Sequence, residues 1–353
     1  MRITFFTPTL KLSGGNIVMF KYAEALAQNG HDVTVIAPHN EVLDKTENGI
    51  NIKTFKKVPN KYFEHIFFQL IYIKKFYDLT PPSDIIIPIF FPLTIHAIYC
   101  KKHKKARKVI ALFQDFKKMY WFGKYIYFLL RLKFITDKID TFISVSTPSA
   151  EEIKKYSGRE AVVIPNGIEH EYFYPRNEEK ENYLLFVGSS SKMKGLKYFL
   201  ETFDIVKKDF PDIKAKIISP DKITDNPDIE FVATEKDKNK LAKLYSNAII
   251  YVSQSLGDSF GLPPLEAMAC GTAVVMTDTV GSAEYAVNNV NAKIVPVQNP
   301  EKSAEAIAEL LKNEDLRKSL ENEGIKTAQK YKWETAIDKF KKEVERYNEL
   351  NAQ

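Results

Sequence analysis

Short apolar runs alternate with longer segments of helical period along most of the chain. RITFFTP (2–8) reads as a buried strand. GGNIVMFKYAEALAQNG (14–30) sets Ile17, Phe20, Ala23 and Leu26–Ala27 near helical period, opened by glycines and ended by Gly30. HDVTVIAP is the next strand. Further strands are predicted at NIKTF, DIIIPIF, RKVIALF and DTFISVS, with helices around 61–78, 93–104, 117–137 and 148–157. AVVIPNGI closes this half. A charged, proline-interrupted stretch, EHEYFYPRNEEKEN (169–182), breaks the pattern. Alternation then resumes with YLLFVG, a helix near 195–208, KAKIISP, IEFVA, a helix near 236–245, and AIIYVS. A helix opens inside GDSFGLPPLEAMACG (257–271), followed by AVVMTD, AKIVPV and helices at 300–312, 314–330 and about 333–350. Strand–helix alternation predicts an α/β fold with parallel, doubly wound sheets. The break predicts two Rossmann-like domains facing a cleft, and no short-period repeat competes with that reading. The expected boundaries are 1–168 for the first domain, 169–181 for a linker and 182–334 for the second.

The length, 353 residues, suits two domains, and 44% hydrophobic with 27% charged residues is a globular composition. The two cysteines, Cys100 and Cys270, form no disulfide framework and fit a reducing cytoplasm. No zinc-like spacing is present. The N-terminus shows no cationic leader before a long apolar run, so no signal peptide is expected. IIIPIFFPLTIHAIYC (85–100) is too short and interrupted for a membrane span. The net charge of +6 is uneven: residues 1–175 hold 25 Lys/Arg against 16 Asp/Glu, and residues 101–133 hold 11 basic residues against Asp115 alone. The asymmetry predicts an anionic partner on the first half.

In open α/β sheets ligands bind at the carboxyl ends of the strands, beside helix N-termini. Three loops there carry chemistry. In LSGGN (12–16), Gly14 and Gly15 let backbone N–H groups approach a phosphate, or simply make a tight turn. Neither the dinucleotide fingerprint nor the phosphate-loop pattern ending in Gly-Lys-Ser/Thr is present. In VGSSSKMKG (187–195), Lys192 and Lys194 can neutralise a diphosphate, or be solvated surface lysines. In GDSFGLPPLEAMACG, Asp258 and Glu266 stand eight residues apart around a helix start, with Gly257 and Gly261 permitting close backbone approach. Carboxylates accept from vicinal hydroxyls, so a ribose or hexose is the natural ligand. Complementing the helix dipole accounts for either acid alone but not for the Gly-Phe-Gly context between them.

Together these residues resemble the retaining, GT-B-fold nucleotide-sugar glycosyltransferases of the large family-four type (glycosyl transferases group 1). The resemblance spans nearly the whole chain. It runs through the early SGG, VIPNGIEHEYFYP (163–175), FVG…KG (186–195), SQSLGDSFGLPPLEAMACGTAVVMTD (253–278) and GSAEY (281–285). It continues through NAKIVPVQNPEKSAEAIAELL (291–311) and YKWETAIDKF (331–340), the last similar to a helix of about 335–353 that crosses back to the first domain. The resemblance implies a metal-independent enzyme with no cofactor beyond a UDP-, GDP- or dTDP-linked sugar as co-substrate. The second domain would hold the donor and the first would meet a glycan or lipid-linked acceptor. Gly14 and Gly15 would lie over the donor's distal phosphate and sugar. Lys194 would neutralise the diphosphate, Glu266 would hold the ribose and Asp258 would face the sugar. Backbone groups of Ser259, Phe260, Gly261 and Leu262 would bond sugar and phosphate, and Val232 and Ala233 would lie near the base.

Three departures stand out. The first motif acid is Asp258, one methylene shorter than the usual Glu. Ser189 replaces the common Arg, with Lys192 as the substitute cation. IALFQDF offers Gln114 and Asp115 where the family often carries a His near the reacting sugar. These departures motivate an alternative, a non-catalytic sugar-nucleotide-binding or partner subunit. KKMYWFGKYIYFLLRLKF (117–134) and KYFEHIFFQLIYIKKFYDL (61–79) interleave aromatics with basic residues. That mixture suits an anionic membrane surface or a buried amphipathic face. No nucleic-acid fold signature accompanies it, so no nucleic-acid partner is expected. The expected location is the cytoplasm, including the inner face of the membrane.

Overall fold

The structure, a computed structural model, describes residues 1–11, 13–57, 68–114, 133–176, 178–220, 225–233 and 237–349. The chain divides into two compact units, Met1–Pro165 with Glu334–Gln353, and Asn166–Trp333.

The first unit is built on one sheet. Its strands are β1 (Arg2–Phe6), β2 (Asp32–His39), β3 (Asp44–Glu47), β4 (Ile50–Lys56), β5 (Ser83–Pro88), β6 (Ala106–Phe113), β7 (Thr141–Ser144) and β8 (Ala161–Val163). Their order is β3-β4-β2-β1-β5-β6-β7-β8, and only β3 runs antiparallel to its neighbour. Ile85, Ile86 and Ile87 of β5 are all buried, as a parallel strand covered on both faces requires. The strand order reverses between β1 and β5, so the unit's switch point lies at their carboxyl ends.

The apolar pattern misses β3, because DKTE is exposed throughout. Its signal is in the turn instead. Asn48 and Gly49 both take positive φ, 51° and 76°, and Glu47 pairs with Ile50, which makes a two-residue hairpin. Helix Gly14–Gln28 is also rotated from the expected stripe. Val18, Met19, Tyr22, Ala23 and Leu26 face the core, while Ile17 is 38% exposed.

Helix Trp333–Glu349 completes the first unit. Ala336, Phe340, Val344 and Tyr347 form its buried stripe at helical spacing. Phe340 stacks on Tyr22 with ring centroids 4.0 Å apart and lies 6.5 Å from Phe5 of β1. Glu345 accepts from Asn29 at 2.8 Å and lies 3.0 Å from His31.

Among the described residues the second unit has six parallel strands: β9 (Glu181–Val187), β10 (Lys214–Ile218), β11 (Ile229–Val232), β12 (Ala248–Ser253), β13 (Ala273–Thr277) and β14 (Lys293–Val295). Their order is β11-β10-β9-β12-β13-β14, which puts the switch point between β9 and β12. Phe186, Phe199, Phe203, Val252, Val275 and Ile307 belong to its core. Residues 169–181, expected as a linker, fall inside this unit. The physical reason is that they pack: His170 Nε2 lies 3.1 Å from Tyr331 O, and the Phe173 ring meets Tyr245 edge-on at 6.0 Å. A Cβ on Gly167 would fall 2.2 Å from Trp333 N, so this stretch leaves no room for a side chain.

Phe68–Leu79 and Lys133–Thr136 are helical. Most of 117–134, the first part of 61–79, and Asp115 lie outside the described residues. Among the described residues no helix is long and apolar enough to cross a membrane.

Phe340→Ala is predicted to remove about 3–5 kcal/mol from the stability of the first unit, because it deletes a fully buried, stacked ring and leaves an apolar cavity. Denaturant titration checks this, and a change under about 1 kcal/mol would contradict the stacking as a stabilising contact.

Candidate functional site

The loops after β9 and β12 flank the second sheet's switch point, and glycines bring their backbones together. The β9 loop turns through Lys192–Lys194 into helix Leu196–Asp209. Gly195 has a φ of 70°, and a Cβ there would fall 1.8 Å from Gln254 O. Only glycine fits that contact. Leu256 N–H donates to Met193 O at 2.9 Å and ties the loops a second time. The result is an ion pair: Lys194 Nζ lies 2.9 Å from Asp258 Oδ1. Both side chains keep some exposure, 32% and 20%, so solvent screens the pair and a ligand can compete for either partner.

The segment Gly281–Tyr285 braces the β12 loop. Gly281 N–H donates to Asp258 O at 2.8 Å, and a Cβ on Gly281 would lie 2.2 Å from Phe260 N. The Tyr285 hydroxyl donates to Gly261 O at 2.7 Å. Phe260, Tyr285 and Tyr331 pack edge-to-face with centroids 5.6 to 6.1 Å apart. This explains why GSAEY accompanies the acid motif. The part played by Tyr331 was not legible, since nothing in the local sequence links it to residues some 70 positions earlier.

Glu266 sits in helix Leu262–Ala269, whose first turn holds Pro263 and Pro264. It accepts from the Tyr245 hydroxyl at 3.0 Å. Burial pushes its carboxyl up to about 7, with the neighbouring Glu169 adding to the rise, while the Tyr245 hydrogen bond and Lys238 oppose it. Burial also holds the Tyr245 phenol well above its ordinary range, so it remains a donor. The two motif acids therefore differ in kind: Asp258 is ion-paired at the rim, and Glu266 is hydrogen-bonded inside. No side chain caps the helices starting at Leu196 and Leu262, whose preceding residues are Gly195 and Gly261. The end at Leu196 keeps its N–H donors for other acceptors, whereas Pro263 and Pro264 remove two of them at Leu262.

The other expected donor-side residues are spread around this pair. Ser189 is half-buried, its hydroxyl accepting from Ser191 N–H at 3.4 Å, and Lys192 is exposed. Ser259 and Phe260 are buried, while Leu262 is half-buried. Val232 ends β11, where Ser219 N–H donates to its O at 3.1 Å, and Ala233 follows it.

In the first unit, Gly14 and Gly15 open the helix after β1, with Ser13 as N-cap. A Cβ on Gly14 would meet nothing within 4 Å, whereas one on Gly15 would lie 3.5 Å from Gln114 Oε1. The glycine loop and Gln114 are thus neighbours. Gln114 Nε2 is buried with no partner among the described residues. Asn16, which the sequence reading passed over, pins this loop. Its amide donates to Thr9 O at 2.7 Å and Lys11 O at 2.6 Å, and its oxygen accepts from Thr7 Oγ1 at 2.8 Å. An Asn on a helix face otherwise lined by Val, Met and Tyr was the available signal.

With this geometry in view, comparison with known proteins places the chain. The pattern described as "Glycosyl transferases group 1" matches residues 169–327, and that described as "Glycosyltransferase Family 4" matches residues 12–172. An uncharacterised glycosyltransferase of Methanocaldococcus jannaschii is 28% identical over 61% of this chain and 60% of its own length. A phosphatidyl-myo-inositol mannosyltransferase of Mycobacterium tuberculosis is 28% identical over 56% of this chain and 57% of its own. The match thus spans less than two thirds of either relative. Among solved structures, sucrose-phosphate synthase from Thermosynechococcus elongatus superposes with a TM-score of 0.82 at 18% identity, covering 99% of each chain. The Anabaena protein HepE in complex with UDP-glucose gives 0.77 at 14% identity, covering 98% of this chain and 100% of its own. At such identities the likeness speaks to fold alone, and that fold is GT-B.

The raised Glu266 makes a prediction about stability. Its carboxyl moves from 4.5 to about 7 on folding, so the folded state binds the proton more tightly. The stability it contributes is complete below about pH 4.5 and is lost as pH rises through about 7. Glu266→Gln should remove roughly 3 kcal/mol of that pH-dependent fall. Denaturation of both proteins at pH steps from about 4.5 to 8 measures it, and parallel curves would contradict the assignment.

Proposed function

The chain belongs to the group 1, family-four type of glycosyltransferases, each half matching one of that family's patterns, and from this premise we propose that it moves a sugar from a nucleoside-diphosphate sugar to a glycan or lipid-linked acceptor, with retention and without a metal ion. The observation that carries this reading is Lys194 held 2.9 Å from Asp258 at the switch point of the second unit, with Glu266 in the helix that follows. An ammonium, two uncapped helix starts and two acids in one place match the parts of a nucleotide sugar: diphosphate, sugar and ribose.

On this reading the diphosphate takes the Lys194 ammonium and the amino end of helix Leu196–Asp209. That exchange releases Asp258 to accept from sugar hydroxyls. Glu266 accepts from the ribose hydroxyls. The acceptor oxygen then bonds to the anomeric carbon on the face from which the diphosphate oxygen departs, and the acceptor's proton passes to that departing oxygen. Charge grows on the diphosphate as the bond breaks, so preorganised cations and amide dipoles lower the barrier. Asp258 is no covalent nucleophile here, because its role is to hold hydroxyls. Within the first unit, Gln114 offers a neutral amide beside Gly15. The basic excess of residues 1–175, and the relative named as a phosphatidyl-myo-inositol mannosyltransferase, support a lipid-linked acceptor at an anionic membrane face. Synthesis of a surface polysaccharide or glycolipid is the corresponding role.

Thermal unfolding in the presence of UDP-, GDP- and dTDP-sugars should single out one nucleotide, with stabilisation of about 2.7 kcal/mol at a hundredfold excess over Kd. Glu266→Ala should abolish that stabilisation, and Lys194→Ala should cut donor hydrolysis or transfer by roughly 100-fold or more. Binding with no turnover, acceptor extracts supplied, would favour a sugar-nucleotide-binding subunit. No binding of any nucleoside diphosphate would overturn the proposal.

A further inference from the structure

A second charged cluster adjoins Glu266. Helix Lys238–Asn247 carries Lys238 and Tyr245 seven residues apart, two turns along one face. The turn after Gly167 lies along that face. Lys238 Nζ is 2.8 Å from Glu169 Oε1 and 2.6 Å from Oε2, and 5.2 Å from the Tyr172 ring centroid. Phe173 meets the Tyr245 ring, and its N–H closes the turn on Glu169 O at 2.9 Å. Tyr245 then donates to Glu266. The Glu169 side chain is only 10% exposed. A Lys238–Glu169 ion pair and a Tyr245–Glu266 hydrogen bond thus lie side by side across three elements of the second unit, linked by the Phe173–Tyr245 ring contact.

We propose that Lys238 is a positioning residue for the donor, which neutralises Glu169 and so keeps Glu266 ionised and able to accept from two hydroxyls. This rests on the reading of Glu266 as the ribose acid. A carboxylate accepts from a vicinal diol through both oxygens, whereas its acid form loses one acceptor site. Two neighbouring carboxylates resist being charged together, and the one not ion-paired yields first. Glu169 holds the ammonium, so the strain falls on Glu266. Tyr245, Tyr251 and Tyr285 are pushed well above their ordinary range by burial, and burial pushes the Cys270 thiol up to about 12, so none is charged near neutrality. Among the described residues, Asp258 is paired with Lys194. The Lys238–Glu169 pair is therefore the adjustable charge beside Glu266.

The test is the pH dependence of nucleotide-sugar binding, with UDP-glucose and GDP-mannose as probes. Their phosphates are diesters and do not titrate near pH 7. Calorimetric affinities of the wild type, Lys238→Met, Lys238→Arg and Glu169→Gln across about pH 5.5–8.5 give a midpoint for each. Affinity should rise with pH as Glu266 ionises. Lys238→Met should move the midpoint up and Glu169→Gln should move it down, each by about half a unit or more, while Lys238→Arg stays near wild type. A purely structural pair would weaken binding at every pH without moving the midpoint, and that outcome overturns the inference. If neither probe, nor the other nucleotide sugars, binds the wild type at any pH, the reading of the donor site fails first. If the wild type binds and the midpoints stay together, the donor site stands and Lys238 has no such role.

Discussion

The backbone contact between Gly195 and Gln254 is the constraint on which the second unit's site depends. A Cβ at 195 would fall 1.8 Å from the Gln254 carbonyl oxygen, so the β9 and β12 loops meet at a distance that no other residue permits. That approach sets Lys194 on Asp258. A matching contact at Gly281, 2.2 Å from Phe260 N for an added Cβ, fixes the far side of the acid loop. Two crowded glycines thus convert a sheet's topological switch into a constellation of cation, acids and uncapped helix ends. The fold supplies the place, and the missing side chains supply the precision.

Electrostatics then divides the labour between the two motif acids. Asp258 stands at the rim, where an ion pair is screened and readily exchanged. Glu266 stands inside, where burial disfavours its charge and a phenol partly compensates. On the proposed reading, an exchangeable pair suits a group released when phosphate arrives, and the half-buried, hydrogen-bonded Glu266 suits recognition of a diol. The cost of burying Glu266 is a stability that falls as pH rises, one of the ways binding sites weaken the folds that hold them.

Much of this was legible in the sequence. Among the described residues, thirteen of the strands lie where the apolar pattern predicts them, and central ones such as β5 read as continuous Ile/Val/Leu runs because both faces are buried. The exception, β3, has no apolar content, and only Asn48-Gly49 announces it. The motif acids, Lys194 and the glycines were visible as residues, but their partners were not. Tyr245, Glu169 and Lys238 approach Glu266 from elements that sequence separates by roughly 20 to 100 positions, and no local pattern encodes such contacts. The stretch 169–181 looked like a linker because charge and proline dominate it, yet Phe173 and His170 anchor it to the second unit. Asn16 was hidden in the same way, a polar residue whose partners are backbone carbonyls.

The central claim is that Lys194 exchanges Asp258 for a diphosphate. A double-mutant cycle on nucleoside-diphosphate affinity tests it most directly, using UDP and GDP with the wild type, Lys194→Met, Asp258→Asn and the double variant. The account predicts that Asp258→Asn tightens binding, because the ammonium is freed, that Lys194→Met weakens it, and that the double variant matches Lys194→Met. Equal weakening by both single variants, adding in the double, would show that the pair does not compete with the ligand and would contradict the account.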